Sequence, residues 1–231
     1  MSIRTTFSLV TAALLGTAGT AEAQQRPMNF MDMQLMSRGG SWTPSPDRDW
    51  MLYTVSTPDW EEAESQTDIW VVSMSEGVPS GRQLTFTDGR DEVSPTWGPD
   101  GSYFLFRSDR DASTRRSADD EEENMGRWQL YMMRHDGGEA RRITDLPDGV
   151  SDFDFSPDGA WLVLRSGERD QEQLHRLPAG DLFGTDLMQL THAEAGVEDW
   201  EFSPDGRLIY FNRADSFDSA DKRRRDDDSN R

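Results

Sequence analysis

Apolar residues in this chain gather in short runs at residues 50–55, 103–106, 161–164 and 208–211, and each run opens just after a four-residue polar phrase. The phrases are Ser45-Pro46-Asp47-Arg48, Gly98-Pro99-Asp100-Gly101, Ser156-Pro157-Asp158-Gly159 and Ser203-Pro204-Asp205-Gly206. Ahead of each phrase apolar residues fall on alternate positions: Phe153 with Phe155, Trp200 with Phe202, Trp97 singly, and Trp42 alone before the first. Alternation with period two marks a strand with one buried face, whereas the near-continuous runs after the phrases mark strands covered on both faces. Ser-Pro-Asp-Gly suits a type I turn, with Pro presetting φ near −65° and Gly accepting the last position. Pro46, Asp47, Pro99, Asp100, Gly101, Pro157, Asp158, Gly159, Pro204, Asp205 and Gly206 are therefore predicted to be structural turn residues joining two strands.

Each unit continues in the same order. A third strand is predicted at residues 68–72, 129–133 and 173–177, and a fourth ends in Leu84-Thr85, Ile143-Thr144 and Leu190-Thr191. The turn between them is clearest at Asp136-Gly137-Gly138, where positive φ is tolerated. From those threonines to the next Pro the spacing is 14, 13 and 13 residues, while the Pro-to-Pro period is 53, 58 and 47. Length variation is thus confined to the connection between the second and third strands, the place where a fixed core tolerates it.

Four antiparallel strands per unit, with a near-constant link between units, predict an all-β fold: a partial β-propeller of about three and a half four-stranded blades. A β-sandwich of short strands is the alternative, but it supplies no reason for one turn phrase to keep register with one strand ending. The expected blades are residues 41–85, 94–144, 150–191 and an incomplete 197–213. Residues 214–231 form a charged tail, and the chain is expected to stop within a blade.

Two further segments change the picture. Residues 1–23 combine Arg4, an apolar stretch over 7–18 and Ala21-Glu22-Ala23, the pattern of a cleavable export signal too short to span a bilayer. Cleavage near Ala23 would place the protein outside the cytoplasm, secreted or periplasmic, with no membrane span afterwards. Residues 24–40 form a leader in which Met28, Phe30, Met31, Met33, Leu35 and Met36 are dense. Methionines can form a soft binding surface or a copper site; the reading adopted from sequence is a short helix or strand packed on the propeller.

Composition narrows the chemistry. Asp and Glu number 44 against 24 Lys and Arg, for a formal net charge of −20, which argues against nucleic acid as a partner. The basic run Lys222-Arg223-Arg224-Arg225 is followed at once by Asp226-Asp227-Asp228, and the acidic run at residues 119–123 lacks the spacing of a calcium loop. There is no cysteine, so no disulfide contributes. His135, His175 and His192 fall in or beside repeat strands, and neither a metal nor a cofactor is assigned.

The phrases Ser45-Pro46-Asp47-Arg48-Asp49-Trp50-Met51-Leu52-Tyr53, Gly137-Gly138-Glu139-Ala140-Arg141-Arg142-Ile143-Thr144-Asp145-Leu146 and Gly149-Val150-Ser151-Asp152-Phe153-Asp154-Phe155-Ser156-Pro157 resemble the N-terminal propeller of prolyl oligopeptidase family serine peptidases. The resemblance is strongest to the acylaminoacyl-peptidase and dipeptidyl aminopeptidase branch. TolB-like propellers use similar turns and are the second choice. The resemblance implies that catalysis belongs to an α/β-hydrolase domain absent from this chain, which would be its principal partner. The propeller would gate and filter peptide substrates for it. No Gly-x-Ser-x-Gly elbow occurs here, since Gly77-Val78-Pro79-Ser80-Gly81 has the wrong spacing, so no catalytic residue is assigned. Asp59-Trp60-Glu61-Glu62 is superficially like an amino-terminus anchor of some relatives, but lies in the first unit's excursion and receives no role. A TolB-like envelope propeller that binds another protein is the alternative function. A polysaccharide-active propeller enzyme with metal-binding histidines is a third reading, weakened by the scarcity of histidine.

Overall fold

The structure is a computed structural model and describes residues 27–59, 64–111 and 128–213. The expected export signal, the tail from 214, the acidic run at 119–123 and residues 60–62 lie outside the described residues. Three four-stranded antiparallel sheets and one two-stranded sheet follow one another along the chain. Sheet one is β1 (Arg38–Pro44), β2 (Trp50–Asp59), β3 (Glu64–Ser73) and β4 (Arg82–Gln83), and a single 3-10 turn at Val78–Ser80 separates its last two strands. Sheet two is β5 (Glu92–Trp97), β6 (Phe104–Ser108), β7 (Gln129–Met133) and β8 (Arg141–Arg142). Sheet three is β9 (Asp152–Phe155), β10 (Trp161–Ser166), β11 (Gln173–Pro178) and β12 (Met188–Gln189), and sheet four is β13 (Asp199–Phe202) with β14 (Ile209–Asn212). Within each sheet the strands are hydrogen-bonded in chain order, the meander of a propeller blade.

The sheets stack in sequence through apolar faces. Leu52, Ile69, Val71 and Leu84 of blade one meet Trp97, Phe104, Phe106, Tyr131 and Met133 of blade two in one buried cluster. On the other face of blade two, Leu105 and Leu130 pack with Phe153, Leu162, Leu164 and Leu177 of blade three. Val163 and Leu174 then meet Val197 and Trp200 of blade four. The second strand alternates between its two neighbours, Phe104 and Phe106 one way and Leu105 the other, so a run apolar at every position is buried on both faces. Among the described residues no further strand pairs with β14, and Tyr210 and Phe211 are exposed.

The polar turn phrase builds the same hairpin each time. Ser156 Oγ donates to Asp158 Oδ1 (2.6 Å) and accepts from the Trp161 N–H (2.9 Å), and Asp158 Oδ1 accepts from the Ala160 N–H (3.0 Å). Ser203 and Asp205 repeat the set with Leu208 and Arg207, and Ser45 and Asp47 repeat it with Trp50 and Asp49. Gly98 replaces the serine in blade two because the Tyr103 ring lies where a Cβ would stand, 2.5 Å away. Gly101, Gly159 and Gly206 take φ of 71°, 68° and 68°, and Arg48 takes 64° at the same place in blade one. A Cβ on any of the three glycines would point at the turn proline of the preceding blade, nearest at Gly159, 2.8 Å from Pro99 Cβ. All four turns therefore lie along one rim.

Two features depart from the sequence reading. β1 begins at Arg38, inside the expected leader, since Gly39 and Gly40 pair with Val55 and Thr54. The leader itself, expected to pack on the propeller, forms a five-residue helix α1 (Phe30–Gln34) that buries none of its residues. Its stability is local: the Asn29 side chain accepts from the Asp32 N–H, and Asp32 Oδ2 accepts from the Asn29 N–H, a complete capping box.

Candidate functional site

The first strands β9 and β13 are sheet edges, and a cavity of about 360 Å³ opens beside them. Asp152, Asp154 and Glu201 line it together with Phe153, Phe155, Pro157, Trp200 and Phe202. Asp154 and Glu201 occupy the same place in successive blades, each three residues before its turn proline. Loss of solvent pushes the Asp154 carboxyl above the ordinary range, and the Asp152 charge adds to this, while the Phe155 N–H it accepts (2.8 Å) opposes. Acidic groups beside aromatic rings can take a cationic or amide-bearing ligand. A more apolar cleft of about 450 Å³ lies between blades three and four, where Trp161, Val163, Leu174, Leu190, Phe202 and Ile209 face one another.

Charged groups concentrate at the opposite end of the strands from the turn rim. Glu92 is fully buried at the junction of blades one and two; its Oε1 accepts from Arg110 Nη2 (3.0 Å) and Ser108 Oγ (3.3 Å), while Oε2 has no partner. Burial pushes this carboxyl up to about 7, against the pull of Arg110. Arg110 in turn lies over the Phe106 and Tyr131 rings, at 5.2 and 4.9 Å. Burial also raises Tyr131, whose hydroxyl donates to Asp111 Oδ2 at 2.6 Å. Farther along, Arg107 donates to the Val150 and Ser151 carbonyls and Arg165 to those of Val197 and Glu198, so that each clasps the residues leading into the next blade's first strand.

A third recurring device links the threonine endings to the third strands. Thr144 Oγ1 accepts from the Leu130 N–H (2.9 Å) and donates to Gln129 Oε1 (2.7 Å), and Gln129 brackets the Leu146 backbone through both its amide atoms. Thr191 and Gln173 do the same with Leu174 and Ala193. In blade one Asp68 stands in place of the glutamine beside Thr85. The equivalence of Gln129 and Gln173 is visible as a repeat in the sequence; the roles of Glu92, Arg107 and Arg165 needed the coordinates.

The predicted turn residues sit together on the rim and do not line the acidic cavity, except Pro157. The three histidines are not brought together. His135 lies between the Trp50 and Trp97 rings, at 5.5 and 5.3 Å. The ring of His175 is held by the Gln173 carbonyl (3.1 Å), and burial lowers its proton affinity, whereas His192 lines a separate cleft with Phe211 and Arg213. Among the described residues no group of His, Cys, Asp or Glu has the arrangement of a metal site, and no helix is long and apolar enough to cross a membrane.

No protein-family model matches the chain. YuxL, an uncharacterized peptidase of Bacillus subtilis, is 31% identical over 121 residues, 52% of this chain and 16% of the peptidase. Dipeptidyl-peptidase 5 of Porphyromonas endodontalis is 31% identical over 146 residues, 62% of this chain and 18% of that protein. The chain thus spans under a fifth of the length of these curated relatives. TolB from Acinetobacter baumannii superposes with a TM-score of 0.53 at 20% identity, covering 78% of this chain and 39% of TolB. The β-propeller domain of the Trilobed protease from Pyrococcus furiosus gives 0.52 at 9% identity, covering 79% and 50%. At such identities the structural likeness is one of fold. Sequence and fold together make this chain a partial β-propeller that resembles the propeller of prolyl oligopeptidase-type peptidases and shares its architecture with the TolB propellers.

Proposed function

We propose that this chain is the propeller portion of an exported serine peptidase, and that it gates and filters peptides for a hydrolase domain carried elsewhere in the same polypeptide. The observation that carries this reading is the 31% identity to two bacterial peptidases over 121 and 146 residues. The acidic, aromatic-lined cavity at the first-strand edges supports it as a surface past which a peptide's amino terminus and basic side chains would be favoured. Hydrolysis would proceed by acyl transfer in the other domain, where a serine nucleophile and an oxyanion hole belong; the propeller's part is access. An exported, non-catalytic TolB-like propeller that binds another envelope protein is the second reading, favoured by the TM-score of 0.53 to TolB.

The two readings separate on the natural polypeptide that contains these residues. As a peptidase it cleaves short acylaminoacyl or dipeptidyl chromogenic peptides and spares a folded protein. Asp154→Asn with Glu201→Gln then raises KM for peptides with a free amino terminus and leaves kcat within about twofold, the pattern of lost uniform binding. Absence of hydrolysis, with stable capture of an envelope protein, would replace this proposal with the TolB-like one.

A further inference from the structure

The second and third strands of each blade turn equivalent positions toward the next blade. These are Leu52, Ile69 and Val71 in blade one, Leu105, Leu130 and Met132 in blade two, and Val163, Leu174 and Arg176 in blade three. An arginine therefore stands where the first two junctions carry Val71 and Met132, and it faces the cleft of about 450 Å³ between blades three and four. Its guanidinium lies over the Trp161 ring at 4.0 Å, its Nη2 meets the Met188 sulfur (3.7 Å), and its buried Nε has no hydrogen-bond partner. Among the described residues no carboxylate pairs with it. Across the cleft, Ile209 and Phe211 of β14 share the face that Trp200 and Phe202 turn toward blade three, and Phe211 is 44% exposed. In blade two the equivalent residues, Phe104 and Phe106, lie opposite Met133 and Tyr131 of the third strand; in blade three, Leu162 and Leu164 lie opposite Leu177 and His175.

We propose that this cleft is the docking surface for one further β-strand of the natural polypeptide, beyond residue 231, which pairs antiparallel with β14 and sets an Asp or Glu against Arg176. Repetition names the occupant: in each of blades one to three the second strand is paired on its outer side by a third strand of the same chain. Residues 214–231 hold a single large apolar residue, Phe217, too few for the inner face of such a strand. Arg176 names the chemistry. A guanidinium keeps its charge, so an apolar strand closing over it would bury an unpaired cation. A carboxylate opposite Ile209 or Phe211 removes that cost, and the Trp161 ring already fixes the guanidinium plane for a two-pronged contact. The main-chain groups of the β14 edge would supply attachment, and the charge pair would supply selection of one strand and register. The inference does not depend on the peptidase reading, since a TolB-like propeller would complete the blade in the same way.

The test uses the natural polypeptide with p-benzoylphenylalanine in place of Phe211, irradiated and mapped by mass spectrometry. The expected cross-link lies within one molecule and joins a segment beyond residue 231 that alternates apolar residues and carries an Asp or Glu within about two residues of the attachment point. Hydrogen exchange then tests the charge. Arg176→Met installs the residue type of blade two and leaves the facing carboxylate unpaired, so the β14 amides should exchange roughly tenfold faster than in wild type while those of β6 do not change. Changing the mapped carboxylate to its amide in the same protein should recover most of that loss, the signature of a coupled pair. Should Arg176→Met not fold, Arg176→Lys, which keeps the charge but not the fork, should show a smaller increase in the same amides. A cross-link to a second copy, to another protein or to residues 214–231 would overturn the proposal, as would no cross-link at all. So would a mapped segment without an acidic residue, or exchange unchanged by the Arg176 substitution.

Discussion

Replacing Glu92 by Gln should change how stability depends on pH more than it changes stability at any one pH. In the folded chain the carboxyl titrates at about 7, against 4.5 for a free glutamate, because burial disfavours the charged form more than Arg110 favours it. The folded state therefore holds this proton more tightly than the unfolded state. The stabilisation it brings is complete below about pH 4.5 and is lost as pH rises toward 7. The gap is worth about 3 kcal/mol at roughly 1.4 kcal/mol per unit, an upper value because structural relaxation around a buried charge reduces it. Glutamine is neutral throughout and escapes this loss. Urea unfolding of both proteins from about pH 4.5 to 8 should show the variant gaining on wild type with pH, by up to about 3 kcal/mol, and levelling off above 7. Shifted groups remote from Glu92, Asp154 among them, act equally in both proteins and cancel in the difference. A difference independent of pH would refute the reasoning, since Glu92 would then ionise in the folded chain as it does in the unfolded one.

The turn rim makes opposite forecasts at equivalent positions. Arg48→Gly should leave stability unchanged or raise it by up to about 1 kcal/mol, because Arg48 already holds a positive φ. Gly159→Ala should cost more than about 1 kcal/mol, since strain at φ 68° adds to a 2.8 Å approach to Pro99; thermal unfolding followed by circular dichroism reads both. Thr144→Val removes the acceptor for the buried Leu130 N–H and the donor to Gln129, and should cost about 1–3 kcal/mol in the same assay, against less than about 0.5 kcal/mol for a change at an exposed site such as Asp145. Arg165→Met keeps the stem but not the clasp on the Val197 and Glu198 carbonyls, so amide exchange at residues 197–202 should quicken while that of β6 does not.

Much of this architecture was legible because it repeats. A turn phrase that satisfies its own hydrogen bonds needs the same residues each time, and a strand buried on both faces shows as an unbroken apolar run; both signals are local and survive without tertiary knowledge. Glu92 was illegible for the converse reason. Its burial is set by Arg110 and by the face of blade one, and a single glutamate in a polar stretch carries no mark of that. Arg107 and Arg165 recur eight residues after their prolines, a signal present in the sequence but meaningless until their reach to the next blade is seen. The methionine segment misled in another way. Apolar composition ordinarily means burial, yet α1 is only five residues long and satisfies its own first turn, so it forms without contributing to the core.

The central claim, that these blades serve a peptidase, is tested most directly by labelling the natural polypeptide with a serine-directed fluorophosphonate and mapping the modified peptide by mass spectrometry. The account predicts labelling of a serine outside residues 1–231, abolished by heat denaturation, and no labelling of the 231-residue chain alone. A polypeptide that takes no label, or a label on a serine within these blades, would contradict it.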